Sequence, residues 1–407
     1  MKNLLILIKK IFNSQFYTIS LYSRQIAGTF VLLFIARFLS VYDYGLFSSY
    51  KAIVAFWLIF ANLGYNDYIL VSSQNIVREV QLKIGFFIIN ALIIVFLIMT
   101  FSVFTPLESY LIFILVLWRS FFDNIFFYIM LPYFQATKKF NIISFVNIFY
   151  AIVTVLIAIT CCILKLSLTT FLVLGILLGI FNFIQVTYYA GVNYILSLRY
   201  MKRILKKIDK SIFAYAGSVI GSYLYLQIPS LYISIFVDKG AAALFFAAYT
   251  IGMVLNLFNT AQVQKIIPEM IKASAEKVNK IIKSNLKIIL LLNIVLLVVF
   301  IILGKQILLL LYGKEIYSNA YNMLLIFSIA NFANALIAIY GSYITASGNQ
   351  YLKIKLQIEA IILSIILLIL LHKLGTYAAT IAYLFSASYI GLAYMIKTKK
   401  ILHKKEY

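Results

Sequence analysis

Apolar runs of about twenty residues recur along this chain with hardly a charge inside them, and that recurrence limits its fold more than any other feature. A helix rises about 1.5 Å per residue, so about twenty apolar residues cross a hydrocarbon core about 30 Å thick. Windows of that size predict twelve spans: 20–40, 46–64, 83–104, 109–132, 142–163, 168–194, 211–236, 241–264, 285–304, 319–345, 355–374 and 376–396. Of the 407 residues 64% are hydrophobic and 12% are charged. Soluble domains run at about 45–50% and about 25%. One chain cannot hide this much apolar surface from water, so its solvent is lipid. The expected fold class is an all-α polytopic membrane protein with about twelve transmembrane helices.

The net charge of +23 would point to nucleic acid in a soluble protein. Here the charges cluster between the apolar runs and no base-reading motif accompanies them, so no nucleic-acid partner is expected. With twelve spans the termini share one side. The termini and even-numbered loops carry 27 Lys and Arg residues. The odd-numbered loops carry 5: Lys165, Lys239, Lys305, Lys314 and Lys373. Cytoplasmic loops are rich in Lys and Arg, and anionic lipids hold them there. The split predicts a multi-pass protein with both termini cytoplasmic. A single missed span would scramble it.

Other chemistry is sparse. Cys161 and Cys162 are adjacent, the chain has no further cysteine, and they read as small apolar residues. His372 and His403 are the only histidines, so no Cys/His metal centre is expected. No G-x-x-x-x-G-K-[ST] is present, and no cofactor is expected. The opening "MKNLLILIKKIFN" has too short an apolar centre for a signal-peptide core and reads as an amphipathic lead-in. "KIIPEMIKASAEKVNKIIKSNLK" (265–287) has apolar residues at helical spacing and is expected to lie along the inner membrane surface.

The basic stretch "SLRYMKRILKKIDK" falls midway. It divides the chain into an N-terminal lobe (1–196, spans 1–6), a cytoplasmic linker (197–210) and a C-terminal lobe (211–407, spans 7–12). "FSSYKAI" from Phe47 and "FAAYTIG" from Phe246 share a Phe-small-small-Tyr pattern early in spans 2 and 8. Parallel six-plus-six repeats recur among transporters.

Five stretches resemble one family. "ARFLSVYDYGLFSSYKAI" (36–53) is similar to the first hairpin of the polysaccharide flippases of the multidrug/oligosaccharidyl-lipid/polysaccharide exporter superfamily. "LGYNDYIL" (63–70), "LPYFQATKKFNIISF" (131–145) and "VDKGAAALFFAAYTI" (237–251) follow in order, the last running into a span that ends at Pro268. "LYGKEIYSNAYNMLLIFSIANFANAL" (311–336) then leads to a small-Gly turn in "ITASGNQYLKIKLQ" and the "KLGTYAATIAY" hairpin. The resemblance spans nearly the whole chain. It implies two six-helix lobes forming a V around a central cavity. It also implies flipping of a lipid-diphosphate-linked oligosaccharide, an O-antigen or capsule repeat unit, between leaflets of the bacterial inner membrane. Membrane lipids and other polysaccharide-assembly proteins are the partners it implies.

Ionisable groups inside spans are costly and normally face the bundle interior or a water-filled cavity. Arg119 and Asp123 lie deep in span 4, four residues apart, so they share a helix face and can pair. Ser120 and Asn124 repeat that spacing beside them. One reading is a self-neutralised pair that locks span 4 to its neighbours. The other is a polar cavity wall, with Arg119 facing substrate phosphate and Asp123 restraining it or exchanging a proton. Arg24 near the inner start of span 1 and Lys51 near the outer start of span 2 either line the cavity or snorkel to headgroups. Arg37 reads as a helix cap and Glu359 as interfacial. Gln227, which with Pro229 interrupts span 7, and Asn256 and Asn259 in span 8 are further cavity candidates. Asn331 and Asn334 share their alternative, interhelical hydrogen bonding.

A drug or small-molecule antiporter of the same superfamily is the alternative function. It predicts an embedded carboxylate in span 1, where this sequence has none, although Asp123 keeps it open. A membrane enzyme is not expected, because the external loops offer only isolated acids.

Overall fold

The computed structural model describes residues 20, 23–24, 26–62, 92–100, 109–125, 134, 139–190, 210–254, 256, 259, 266, 269–270 and 273–406. The stretch 63–70, Pro268 and nearly all of the 197–210 linker lie outside the described residues, as does the side chain of Asn124.

Each expected span meets a helix. They are α1 (Ile26–Phe38), α2 (Val41–Asn62), α3 (92–100), α4 (Tyr110–Ile125), α5 (Phe140–Ile163) and α6 (Leu168–Ala190). Then follow α7 (Lys210–Phe236), α8 (Lys239–Gly252), α9 (Ala275–Tyr312), α10 (Tyr321–Ala346), α11 (Gln350–Leu370) and α12 (Thr376–Glu406). No strand occurs among the described residues. Six helices among them are long and apolar enough to cross a membrane by themselves: α5, α6, α7, α9, α12, and α10 with the turn before it.

Local chemistry sets the helix ends. Ser40 caps α2, accepting from the Asp43 N–H at 3.0 Å while donating to its carboxylate at 2.6 Å. The Asp238 carboxylate accepts from the Gly240 and Ala241 N–H groups at the head of α8. Ser274 caps α9, and Gly313 closes it in the left-handed conformation at φ 68°. Gly348 at φ 76° makes the small-residue turn between α10 and α11.

Two expectations change. Pro229 lies inside α7 and does not interrupt it; the helix runs unbroken to Phe236. The tract leading to span 9 does not lie apart along the surface from residue 275 onward. It is the first part of α9, a single helix of 38 residues and about 57 Å. Its apolar side, with Val278 and Ile282, is buried in one cluster with Tyr343, Ile344, Leu356 and Leu402. The amphipathic pattern is satisfied by protein rather than lipid. Glu359, expected near an interface, is half-buried on α11, the helix that starts at Gln350. It accepts a hydrogen bond from the Tyr389 hydroxyl of α12.

The chain clusters into two compact units. The first comprises residues 1–38 and 53–220, the second residues 39–52 and 221–407. In the first unit α4 and α5 both pack on α6. In the second, α10 is central and packs on α9, α12 and α8, while α11 pairs with α12.

Candidate functional site: an arginine–aspartate–tyrosine cluster in the first unit

The first unit gathers its embedded charges where α4 meets α5 and α6. Arg119 lies about 13 Å and Asp123 about 20 Å along α4 from Tyr110. Although they share a face, they do not pair with each other. The Asp123 carboxylate accepts from the Tyr150 hydroxyl on α5. The cation beside it is Arg24, whose side chain is buried. The Arg24 guanidinium lies 4.1 Å above the Tyr150 ring centroid, donates to the Asn147 Oδ1 at 3.5 Å, and reaches the Asp123 main-chain carbonyl at 3.4 Å. One tyrosine thus holds the anion through its hydroxyl and the cation through its ring face.

Arg119 turns the other way. Its guanidinium lies 4.1 Å above the Phe171 ring on α6. Gly175 makes room for it, since a Cβ there would lie 2.8 Å from the Arg119 Cζ. One turn on, Gly179 makes the same allowance for Phe122, whose Cβ would be 2.7 Å from the added carbon. Arg119 is half-buried, and its Nη1 has no hydrogen-bond partner among the described residues. Neither has the Asn147 Nδ2, nor either side-chain polar atom of Asn182 on α6. Among the described residues, two guanidinium groups and one carboxylate give this region an excess positive charge, with several buried donors that have no partner there and aromatic rings beside the cations.

The other candidates are in the second unit. Lys51 is exposed on α2 and Gln227 is half-buried on α7. Asn256 and Asn259 bond to each other at 3.3 Å, and the Asn256 amide donates to the Met253 Sδ at 3.2 Å. Nearby, the Asn334 amide donates to the Tyr383 hydroxyl at 3.2 Å, joining α10 to α12. Asn331 donates to the Gly252 carbonyl of α8, and Asn293 on α9 donates to the Asn331 carbonyl. Asn293, Asn331 and Asn334 bond between helices, whereas the Asn256–Met253 and Asn256–Asn259 bonds are local, three residues apart in the chain. The sequence reading passed over Tyr150 and Asn147. Ser144, Asn147, Tyr150 and Thr154 recur at helical spacing along one side of α5, and that polar stripe in an apolar span was the signal available.

No protein-family model matches this sequence, and no curated protein matches it. Solved structures do. A multidrug-resistance MATE family transporter of the MOP superfamily in its inward-facing conformation is 12% identical, with a TM-score of 0.68 over 94% of this chain and 95% of that one. The outward-facing conformation gives 0.65 at 12% identity over 97% and 96%. The eukaryotic MATE transporter AtDTX14 gives 0.63 at 12% identity, covering 98% of each chain. The chain therefore has a MATE-like, all-helical fold, consistent with about twelve spans.

Proposed function

We propose that this chain is an alternating-access membrane exporter whose cargo is a lipid-diphosphate-linked oligosaccharide, carried from the cytoplasmic to the outer leaflet of the bacterial inner membrane. Both termini are cytoplasmic in this reading, and the lobes 1–196 and 211–407 are its moving halves. The observation that carries it is the excess of embedded arginine over carboxylate among the described residues of the first unit, with Arg24 buried and the Arg119 Nη1 without a hydrogen-bond partner among them. A diphosphate crossing a water-poor region needs compensating cations, and the planar guanidinium fork binds its oxygens in pairs. The flippase-like stretches along the chain support the same cargo. Transport and not catalysis is the role that fits a chain built almost wholly of spans.

The second reading is a drug or small-molecule antiporter. The solved structures sharing this fold favour it, since two of those compared are described as multidrug-resistance transporters. Asp123, held by Tyr150 in the first unit, supplies the embedded carboxylate that such coupling needs.

One pair of assays separates the readings. The gene is expressed in a strain lacking its polysaccharide flippase and in a strain lacking its drug-efflux pumps. Restored surface glycan with no change in drug tolerance supports the flippase. Raised tolerance to cationic drugs without glycan display gives the antiporter. In the glycan assay Arg24→Ala, at unchanged abundance by immunoblot, is expected to abolish display, and Arg24→Lys to restore only part of it.

A further inference from the structure

The first third of α9 stands outside the lipid that the rest of the helix crosses. Exposed large apolar side chains on α9 begin at Ile288 and run to Leu310. That is a rise of about 33 Å, close to the thickness of a hydrocarbon core. Before Ile288 the helix exposes no large apolar side chain, and residues 275–287 form an extension of about 18 Å. Val278 and Ile282 fix the extension to its unit beside Leu402, near the end of α12. It is a braced helix and not a loop. In the orientation that the charge split predicts, it stands in the cytoplasm.

Lys277, Lys280, Lys283 and Lys287 are all exposed on this extension. With 3.6 residues per turn they fall within an arc of about 120°, centred opposite Val278 and Ile282. Glu276 is the one acid among residues 275–287. Even paired with Lys280, four positions on, it leaves three of the cations uncompensated.

A basic helix face commonly meets anionic headgroups, but height decides against that here. The headgroup layer adds about 5–7 Å to each side of the core. Lys287 and Lys283 lie about 2 Å and 8 Å above Ile288, whereas Lys280 and Lys277 lie about 12 Å and 17 Å above it. A tilt of about 20° shortens these heights by less than a tenth. Helical side chains lean towards the N-terminus, which here is away from the lipid. The outer half of the stripe thus clears the headgroups. Nor does the extension carry an aromatic ring on which a nucleic-acid base could stack. We infer that the stripe is a docking surface for an acidic helical segment of a soluble protein, whose carboxylates recur once per turn along its length of about 15 Å. The bracing by Val278 and Ile282 presents the lysines on a preformed backbone, so binding needs no ordering of this side. The cargo does not enter into it.

The test uses the purified full chain in phosphatidylcholine nanodiscs and two fluorescein-labelled, alanine-rich peptides of about 18 residues and identical composition. In one, the glutamates recur every third or fourth residue and share a helix face. In the other they are spread round the helix. Fluorescence anisotropy at about 50 mM salt gives the affinities. The striped peptide is expected to bind at least about fivefold more tightly than the spread one. Lys277→Glu with Lys280→Glu should weaken its binding about tenfold, and Lys277→Gln with Lys280→Gln about threefold, the effect of losing exposed ion pairs. Lys399→Glu with Lys400→Glu lie on exposed residues of α12 within about 6 Å of Ile396, its last exposed large apolar residue. That pair should change binding less than about twofold. Equal binding of the two peptides, including none by either, or equal loss from the two charge-reversed pairs, would reduce the stripe to diffuse charge and overturn the inference. So would abolition of striped-peptide binding when about a quarter of the lipid is phosphatidylglycerol at about 150 mM salt, where screening confines the lipid's field to the headgroup level.

Discussion

The Tyr150 hydroxyl donates to the Asp123 carboxylate while the Arg24 guanidinium rests 4.1 Å above the same ring. Tyr150→Phe keeps the ring under Arg24 and strands the carboxylate. It is expected to cost about 1–3 kcal/mol, the price of an unsatisfied buried polar group. Tyr150→Ala removes both contacts and a large side chain, and should cost about 3–5 kcal/mol. Thermal unfolding in detergent ranks them. Equal melting temperatures for Tyr150→Phe and the parent would show that the hydroxyl carries nothing.

Arg24, not Arg119, is the cation beside Asp123. A double-mutant cycle on Arg24→Ala and Asp123→Asn should therefore give a coupling of about 1–3 kcal/mol, and one on Arg119→Ala and Asp123→Asn a smaller value. The reverse order would restore the i, i+4 pair that the spacing suggested.

Gly175 and Gly179 both lie against α4, but an added methyl meets different obstacles. At Gly175 it meets the far end of the Arg119 side chain, which can swing away; at Gly179 it meets the Cβ of Phe122, fixed to the backbone. Gly179→Ala is expected to destabilise the protein by about 1–3 kcal/mol, and Gly175→Ala by clearly less. Melting temperatures of the two variants decide this, and a larger loss at Gly175 would contradict the packing.

Val278 lies beyond the apolar core of α9, where a helix on the membrane surface would tolerate a polar residue at modest cost. It is instead buried with Ile282 and Leu402. Val278→Asp should lower the melting temperature sharply and reduce abundance, whereas Lys280→Asp, on an exposed residue of the same helix, should do neither. Equal behaviour of the two would return this tract to the lipid surface.

The charge split predicts orientation. In a background lacking Cys161 and Cys162, Lys239→Cys should react with a membrane-impermeant thiol reagent added outside intact cells, and Lys206→Cys should react only after the membrane is opened. Ready labelling at 206 from outside would invert the topology or remove a span.

The sequence by itself determined what depends on short stretches of chain. Each of the twelve apolar runs meets a helix among the described residues, because the cost of an unpaired backbone in lipid leaves a span no other form. The small-Gly turn at Gly348 was read from sequence, and the caps at Ser40, Asp238 and Ser274 and the left-handed Gly313 are signals just as local, though the sequence analysis did not use them. Only the tertiary structure decided which side chains meet. Arg119 and Asp123 are bound by helical spacing to one face of α4, yet each takes its contacts from other helices: Phe171 and Gly175 on α6 for one, Tyr150 on α5 for the other. Arg24 reaches Asn147 across 123 positions of chain. Periodicity says that a side of a helix is polar or apolar, but not what will cover it. Val278 and Ile282 show the same limit, since lipid and a neighbouring helix both satisfy an apolar stripe, and the choice between them was made by the packing of α9 on α10 and α12.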